Sequence, residues 1–250
     1  MKKRFIYLAM LSSCLLLDSC APKGGSAEGQ TASLSITNTE PSNSTACEIK
    51  YGNVTFTRAI NGADSLVTLK ENGVLEFRCG AKKDFFCDPN DGKLSNNTAP
   101  LLLAKVDNTQ PFTITAKVTP GFTATGTYNA ADLFVFSNDT LWQKFAFEQD
   151  ERGRNRIVTV RTNGTSDDNN HEEVTAASVY LKISSDSRTI ASYYSLDKKE
   201  WQLVRLYKNY YPKELWVGLC NQCPMEDGSI SLFEDVTLEQ NSVEDFRSGD

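Results

Sequence analysis

The sequence predicts an all-β protein, a two-sheet antiparallel β-sandwich or jelly roll. Three observations support this fold class. Apolar and polar residues alternate with a period of two, turn signals recur at hairpin spacing, and no stretch longer than about ten residues carries a helical apolar stripe. About a dozen short strands at this spacing are typical of sandwiches and jelly rolls.

The clearest strands are predicted at 112–118 and 179–184. Their apolar faces carry Phe112, Ile114, Ala116, Val118, Val179, Leu181 and Ile183. Further strands are predicted at 53–58, 65–70, 74–79, 132–137, 142–149, 156–162, 189–196, 201–207, 214–220 and 229–238. Asn-Gly, Asp-Gly and Asp-Ser pairs between them favour tight turns.

The first 19 residues read as a secretory signal. A basic start, MKKRF, precedes an apolar stretch at 6–17 that is shorter than the roughly 20 residues of a membrane span. The run Leu17-Asp18-Ser19-Cys20 resembles a bacterial lipobox, so we expect Cys20 to carry lipid. Several acyl chains on one residue anchor a protein stably, which predicts a lipoprotein of the cell envelope, at the outer membrane.

The domain organisation follows from composition. Residues 20–46 are rich in Ser, Thr, Gly and Asn, and we interpret them as the lipidated cysteine and a flexible tether. One sandwich domain is expected over 47–240, followed by a polar tail at 241–250. The net charge of −6 comes without a basic block, which argues against nucleic acid as a partner.

Alternation also assigns residues to the two faces of each strand. Phe145 and Phe147 share one face of their strand, and Leu215, Val217 and Leu219 share one face of theirs, so both sets are expected in the core. The opposite faces carry Trp142, Lys144, Glu148, Trp216 and Cys220. Aromatic and charged side chains on one face fit a ligand platform, and for any single residue a solvated or loop-covered face is the alternative that the pattern favours.

The stretch KDFFCDPNDG, at 83–92, combines aromatics, carboxylates and a turn. Pro89 fixes φ, Asn and Asp bond back to the backbone, and Gly92 permits positive φ, so its second half is predicted to be a turn. Phe86 and Asp88 are candidates for the rim of a ligand cleft.

Catalytic and metal motifs are sparse. Glycosidases need two carboxylates, and the nearest run, Glu148-Gln149-Asp150-Glu151-Arg152, lacks the third acidic residue of the glucanase pattern. His171 is the single histidine, in a polar segment at 166–173 expected to be a loop, which argues against a catalytic triad or a histidine-rich metal site. No cofactor is assigned, with Ca²⁺ at this oxygen-rich loop as the alternative.

The chain has seven cysteines. Five remain when Cys14, in the predicted signal, and Cys20, at the predicted lipid site, are set aside. The pair Cys220-x-x-Cys223 also fits a redox or metal motif, but neither the helical context nor a second ligand pair is evident.

Several separated blocks resemble one family. They include DFFCDPNDG, APLLLAKVD, FTITAKVTPGF, the segment from LWQKFAFEQ to NGTSDD, YYSLDKKEWQLVR and VGLCNQCPMEDGSISLFEDV. Over residues 50–240 the chain resembles the DUF1349 family, also labelled "regulation of enolase protein 1". The resemblance implies a concanavalin A-like sandwich without an assigned activity, whose fold relatives are mostly lectins and glycosidases.

This chain departs from the family at two positions. The family usually has cysteines where Asn169 and Ser229 stand here. The resemblance therefore implies that a disulfide has moved, and Cys87 with Cys220 or Cys223 is the expected bridge.

These observations predict a non-catalytic, surface-tethered carbohydrate-binding protein for glycan utilisation. Its site would comprise Phe86, Asp88, Trp142, Lys144, Glu148, Asp167, Asp168 and Trp216. A glycoside-active enzyme with a carboxylate pair and a structural component of a cell-surface complex are the alternatives. The sequence leaves the glycan and the oligomeric state open.

Overall fold

Two large antiparallel sheets pack face to face in the computed structural model, which describes residues 40–250. The strands are Ser44–Tyr51 (β1), Val54–Ile60 (β2), Val67–Leu69 (β3), Leu75–Gly80 (β4), Phe85–Phe86 (β5), Asn96–Asn97 (β6), Leu101–Asp107 (β7), Phe112–Thr119 (β8), Ala130–Asn138 (β9), Leu141–Gln149 (β10), Asn155–Asn163 (β11), Thr165–Glu173 (β12), Val179–Ser185 (β13), Thr189–Ser195 (β14), Gln202–Lys208 (β15), Glu214–Gln222 (β16) and Gly228–Glu239 (β17). A 3₁₀ turn spans Ala63–Ser65. The predicted all-β, two-sheet class is confirmed.

The eight-stranded sheet has the order β1-β2-β7-β16-β9-β10-β11-β12, and the seven-stranded sheet has the order β15-β14-β13-β8-β17-β4-β3. Strands β5 and β6 form a separate small ribbon. The predicted signal peptide, Cys20 and most of the tether lie outside the described residues. Within residues 40–250, no helix has the length and apolarity needed to cross a bilayer.

The main core lies between the two sheets. The inward faces predicted from alternation are buried there, including Ile114, Leu181, Phe145, Phe147 and Val217. Burying such side chains is the largest favourable term in folding, at about 1.5–3 kcal/mol for each. The period-two pattern therefore predicted the main core correctly.

A second apolar cluster lies on the outer face of the eight-stranded sheet. Its members are Ile60, Phe85, Ala99, Leu101, Leu103, Ala130, Phe134, Phe136, Trp142, Ala146, Val158, Val160, Trp216 and Cys220. Residues 83–99, here called the covering segment, shield this cluster from water. Lys83 pairs with Cys223 after β16, and the Cys87 amide donates to Ser166 Oγ in β12 at 2.9 Å, so the segment spans the sheet from β16 to β12.

Phe85 anchors the covering segment to the sheet. Its side chain is 1% exposed, and its ring lies 5.3 Å from that of Phe134 and 5.9 Å from that of Trp142. In the stretch 83–92, the first half thus anchors the segment to the sheet and the second half forms a turn. Gly92 has the expected positive φ of 77°.

The structure corrects one secondary-structure prediction. The polar stretch around His171, predicted as a loop, is β12, a nine-residue strand that pairs with β11. Strand β12 is the edge of its sheet. Charged side chains are favoured on edge strands because they oppose pairing with other chains, and this explains why β12 lacks an apolar face.

Both ends of the described unit reach beyond the predicted sandwich. Strand β1 begins at Ser44, inside the segment predicted as tether. The tail at 241–250 lies against the seven-stranded sheet, where Tyr193 donates to Phe246 O at 2.9 Å and Lys182 donates to Gly249 O at 2.7 Å.

Candidate functional site

A pocket opens beside the covering segment on the outer face of the eight-stranded sheet, with a volume of about 370 Å³. Strands β10, β11, β12 and β16 supply its floor and one wall, and the covering segment supplies another wall. The lining residues are Asp84, Phe86, Leu94, Asn96, Tyr128, Lys144, Glu148, Glu151, Val158, Val160, Asp168, Asn170, Gln222, Pro224 and Met225.

Lys144 is the central charged group of the pocket floor and is 3% exposed. Its ammonium donates to Asp84 Oδ1 at 3.1 Å, to the Phe85 carbonyl at 3.1 Å and to Gln222 Oε1 at 2.7 Å. These three bonds use all three ammonium donors. Lys144 therefore ties the covering segment to the sheet and has no donor left for a ligand.

Gln222 continues the network from Lys144 to Glu148. Its amide nitrogen donates to Glu148 Oε2 at 2.9 Å and to the Tyr128 carbonyl at 2.8 Å. The side-chain N–H donors of Lys144 and Gln222 are thus used within the floor. The second oxygen of Glu148 accepts no hydrogen bond from the described residues, so it is available to a ligand.

The buried ionisable groups of the floor shift one another's pKa values. Burial raises the pKa of Glu148 well above its ordinary value, against the opposing effect of Lys144. Burial alone would lower the pKa of Lys144, but the carboxylates of Asp84, Glu148 and Asp132 outweigh it and raise the pKa. Partial burial raises the pKa of Asp168, a residue that keeps one side open to solvent. Glu148 therefore retains its proton at pH values where surface glutamates have lost theirs.

Asp132 lies under the floor and is fully buried. It is opposite Cys220 in the β9–β16 register, and its two carboxyl oxygens have no hydrogen-bond partner that meets normal geometry. Burial raises its pKa to about 7, and Lys144 limits the rise. Asp132 adds a further acidic group to the environment of Lys144.

The opposite side of the pocket is apolar. Phe86 and Leu94 come from the covering segment, Tyr128 from the loop before β9, and Pro224 and Met225 from the loop after β16. Leu94 is 72% and Met225 61% exposed, which is unusual for large apolar side chains. The pocket thus places apolar surface opposite carboxylate oxygens.

Comparison with known families identifies the chain. A family model described as "Protein of unknown function (DUF1349)" matches residues 63–241. The chain belongs to the DUF1349 family. The membership predicted from the sequence blocks is confirmed, and among curated proteins none matches the chain.

Solved structures similar to this DUF1349 chain share its fold. A Saccharomyces cerevisiae protein described as functionally unknown is 24% identical, with 73% of this chain and 95% of its own covered, at a TM-score of 0.65. The xylan β-1,4-xylosidase of Bacillus halodurans is 15% identical over 77% of this chain and 38% of its own, at a TM-score of 0.58. The GH43 protein BlXynB of Bacillus licheniformis is 16% identical over 76% and 37%, at 0.56. This chain spans less than two fifths of each of these two bacterial proteins.

Four of the eight residues predicted to bind a ligand line the pocket of this DUF1349 chain. They are Phe86, Lys144, Glu148 and Asp168. The covering segment brings Phe86 to the three strand residues.

The two tryptophans require a correction. Trp142 is fully buried and Trp216 is 3% exposed, both in the second apolar cluster beneath the covering segment. The Trp142 indole donates to the Asp139 carbonyl at 3.1 Å. Alternation placed them on the correct face, but that face is covered, so they pack the sheet and do not line the pocket.

Asp167 and Asp88 also lie outside the pocket lining. Asp167 and Asp168 are neighbours in a strand and therefore face opposite sides, and Asp167 lies 3.4 Å from Arg205 at the surface. Asp88 accepts the backbone N–H of Asn90 at 3.0 Å and that of Leu94 at 3.2 Å, so its carboxylate holds the turn.

The expected disulfide is absent. All five cysteines in residues 40–250 are free thiols. Cys87 contacts β12, whereas Cys220 lies in β16, and three strands at about 4.8 Å spacing separate β16 from β12. A disulfide requires Cα atoms within about 7 Å, which this separation forbids. Cys223 is held beside Lys83, four residues before Cys87.

Asp150 and His171, singled out in the sequence, both lie outside the pocket lining. Asp150 accepts from Arg154 Nε at 2.9 Å and from Arg156 Nε at 2.7 Å. Although its burial opposes this, these bonds hold its pKa below the usual range. The His171 ring lies 6.4 Å from that of Tyr194. No group of three or more His, Cys, Asp or Glu residues in the described part of the chain has metal-binding geometry.

Sequence reasoning missed several lining residues. Gln222 belongs to the outward face of Trp216 and Cys220, and extending that strand by two residues would have found it. Asp84 stands directly before the anchoring Phe85 in the stretch already singled out. Tyr128 sits in a turn with a positive φ of 66°, which alternation cannot place.

Proposed function

We propose that the pocket binds carbohydrate and that the protein is a lipid-anchored envelope protein serving glycan capture. The observation that carries this proposal is the pairing of Glu148 and Asp168 with the apolar side chains of Phe86, Tyr128 and Met225 across one pocket. Sugars present ring hydroxyls at their edges and apolar C–H surface on their faces, so they match both walls.

The donor and acceptor inventory supports the same ligand class. Lys144 and Gln222 use their N–H groups within the floor, whereas the free oxygen of Glu148 and the carboxylate of Asp168 face the pocket. The Asp168 carboxylate accepts hydrogen bonds, and the free Glu148 oxygen accepts one or, when protonated, donates one. Sugar hydroxyl groups both donate and accept, and a bond to the charged acceptor contributes about 1.5–3 kcal/mol.

The location is proposed from the N-terminal sequence. The lipobox at 17–20 and the polar residues that follow support a domain held away from a membrane by a tether. The similar structures suggest which glycan to test first, because one of them is a xylan β-1,4-xylosidase. Xylan therefore belongs in the first set of neutral glycans to be tested.

Alanine at Asp168 should weaken glycan retention, whereas alanine at Asp167 should leave it unchanged. The two residues are adjacent in β12, but only Asp168 lines the pocket. Loss of one charge-assisted hydrogen bond predicts a roughly 10- to 100-fold lower affinity. Affinity electrophoresis of the purified protein in gels containing xylan, β-glucan, mannan or α-glucan measures this.

Two outcomes contradict the proposal. One is that the wild-type protein migrates freely in every gel. The other is that a glycan is retained equally by the wild type and by Asp168→Ala, which would place binding elsewhere on the protein.

The raised pKa of Glu148 favours one second candidate, a glycoside-active enzyme. A protonated Glu148 is the form needed for a general acid, and Asp168 lines the same pocket as a candidate base or nucleophile. This candidate predicts sustained release of reducing sugar that Glu148→Gln abolishes and Asp167→Ala preserves. Absence of product from every retained glycan would reject it.

A further inference from the structure

We infer that the pocket selects glycans without anionic groups and rejects uronated, sulfated or carboxymethylated ones. This inference rests on the proposed carbohydrate binding and adds the class of glycan. Its basis is the excess of carboxylates around the pocket. The one lysine of the pocket, Lys144, already makes three hydrogen bonds within the protein.

The charge balance is acidic. Asp84, Glu148, Glu151 and Asp168 line the pocket together with a single cation, Lys144. Three carboxylates face one ammonium even when Glu148 is protonated. Asp132 lies beneath them without a hydrogen-bond partner and adds to the acidic side.

Lys144 cannot recognise a ligand carboxylate. Its three hydrogen bonds go to Asp84, Phe85 and Gln222, and its side chain is 3% exposed. A ligand carboxylate would have to break one of these bonds in a buried site. It would also lie near the carboxylates of Asp168 and Glu151, and like charges repel.

A matched pair of derivatives tests this selection. The neutral polymer that the wild-type protein retains best is converted to its carboxymethyl ether and, at the same degree of substitution, to its hydroxyethyl ether. Both derivatives block hydroxyl groups, but only the first adds charge. We expect the carboxymethyl polymer to bind about tenfold or more weakly than the hydroxyethyl polymer at low salt, with a smaller ratio in 0.5 M salt.

Glu151→Gln gives a second readout through the same ratio. Removing one rim charge should raise the carboxymethyl-to-hydroxyethyl affinity ratio roughly threefold. Asp167→Ala removes a nearby charge that faces away from the pocket and serves as the control.

The outcomes separate the two proposals. Equal binding of both derivatives, or tighter binding of the carboxymethyl polymer, overturns charge selection and leaves carbohydrate binding standing. Retention of no neutral polymer overturns carbohydrate binding and the selection with it.

Discussion

Replacing Lys144 with methionine should destabilise the protein by about 3–5 kcal/mol at pH 7. The substitution keeps the volume of the side chain but removes the buried cation. Asp84, the Phe85 carbonyl and Gln222 Oε1 would each lose a donor. Unpaired buried acceptors and charges are costly, which is why this change should exceed a typical surface substitution several-fold. Urea denaturation followed by tryptophan fluorescence measures the loss.

The loss should shrink as the pH falls. Without Lys144, the pKa of Glu148, already raised by burial, rises further because its opposing cation is gone. An acid whose pKa is higher in the folded than in the unfolded state binds protons preferentially in the folded state. Stability then increases as the pH falls from the folded pKa toward the unfolded value of about 4.3. Denaturation at pH 7 and pH 5 compares the two conditions.

Lys105 provides a matched control for Lys144. Its ammonium lies 3.1 Å from Glu214 Oε1 in a partly exposed pair. Such pairs contribute about 0–1 kcal/mol, so Lys105→Met should have a small effect. Equal losses for Lys144→Met and Lys105→Met, or a Lys144→Met loss below about 1 kcal/mol, would contradict the role assigned to the buried network.

Replacing Phe85 with alanine should cost about 3–5 kcal/mol and also weaken ligand binding. The side chain is 1% exposed and packs against Phe134, Phe136 and Trp142. Its loss leaves a cavity under the covering segment. The segment would then hold Asp84 and Phe86 less firmly at the pocket, so both stability and affinity should fall.

Replacing the neighbouring Phe86 separates the loss of stability from the loss of ligand affinity. It is half-buried and lines the pocket. Phe86→Ala should therefore cost only about 1–1.5 kcal/mol of stability while still weakening glycan retention. Denaturation and affinity electrophoresis of both variants test this contrast. The account would be wrong if Phe86→Ala were the more destabilising of the two.

The sheets were predictable because alternation is a local property. The five residues predicted on the inward faces of β10 and β16 are all buried in the main core, since successive strand residues must point to opposite sides. Strand β12 was missed for a physical reason. An edge strand gains its stability from backbone hydrogen bonds to β11, and its polar side chains carry no periodic signal.

The site was only partly predictable because its shape depends on distant packing. Alternation placed Trp142 on the outward face, but only the folded chain shows that Phe85, more than 50 residues earlier, covers it. The same rule applied to β12 would have separated Asp167 from Asp168, once that segment was known to be a strand. Gln222 and Tyr128 join the pocket through strand ends and turns, where local pattern is weakest.

A structure of the protein bound to a neutral oligosaccharide from the best-retained polymer tests the central claim most directly. The account predicts one sugar ring between the carboxyl groups of Glu148 and Asp168 and the side chains of Phe86, Tyr128 and Met225. Sugar bound at another surface, with this pocket empty at saturating ligand, would contradict it.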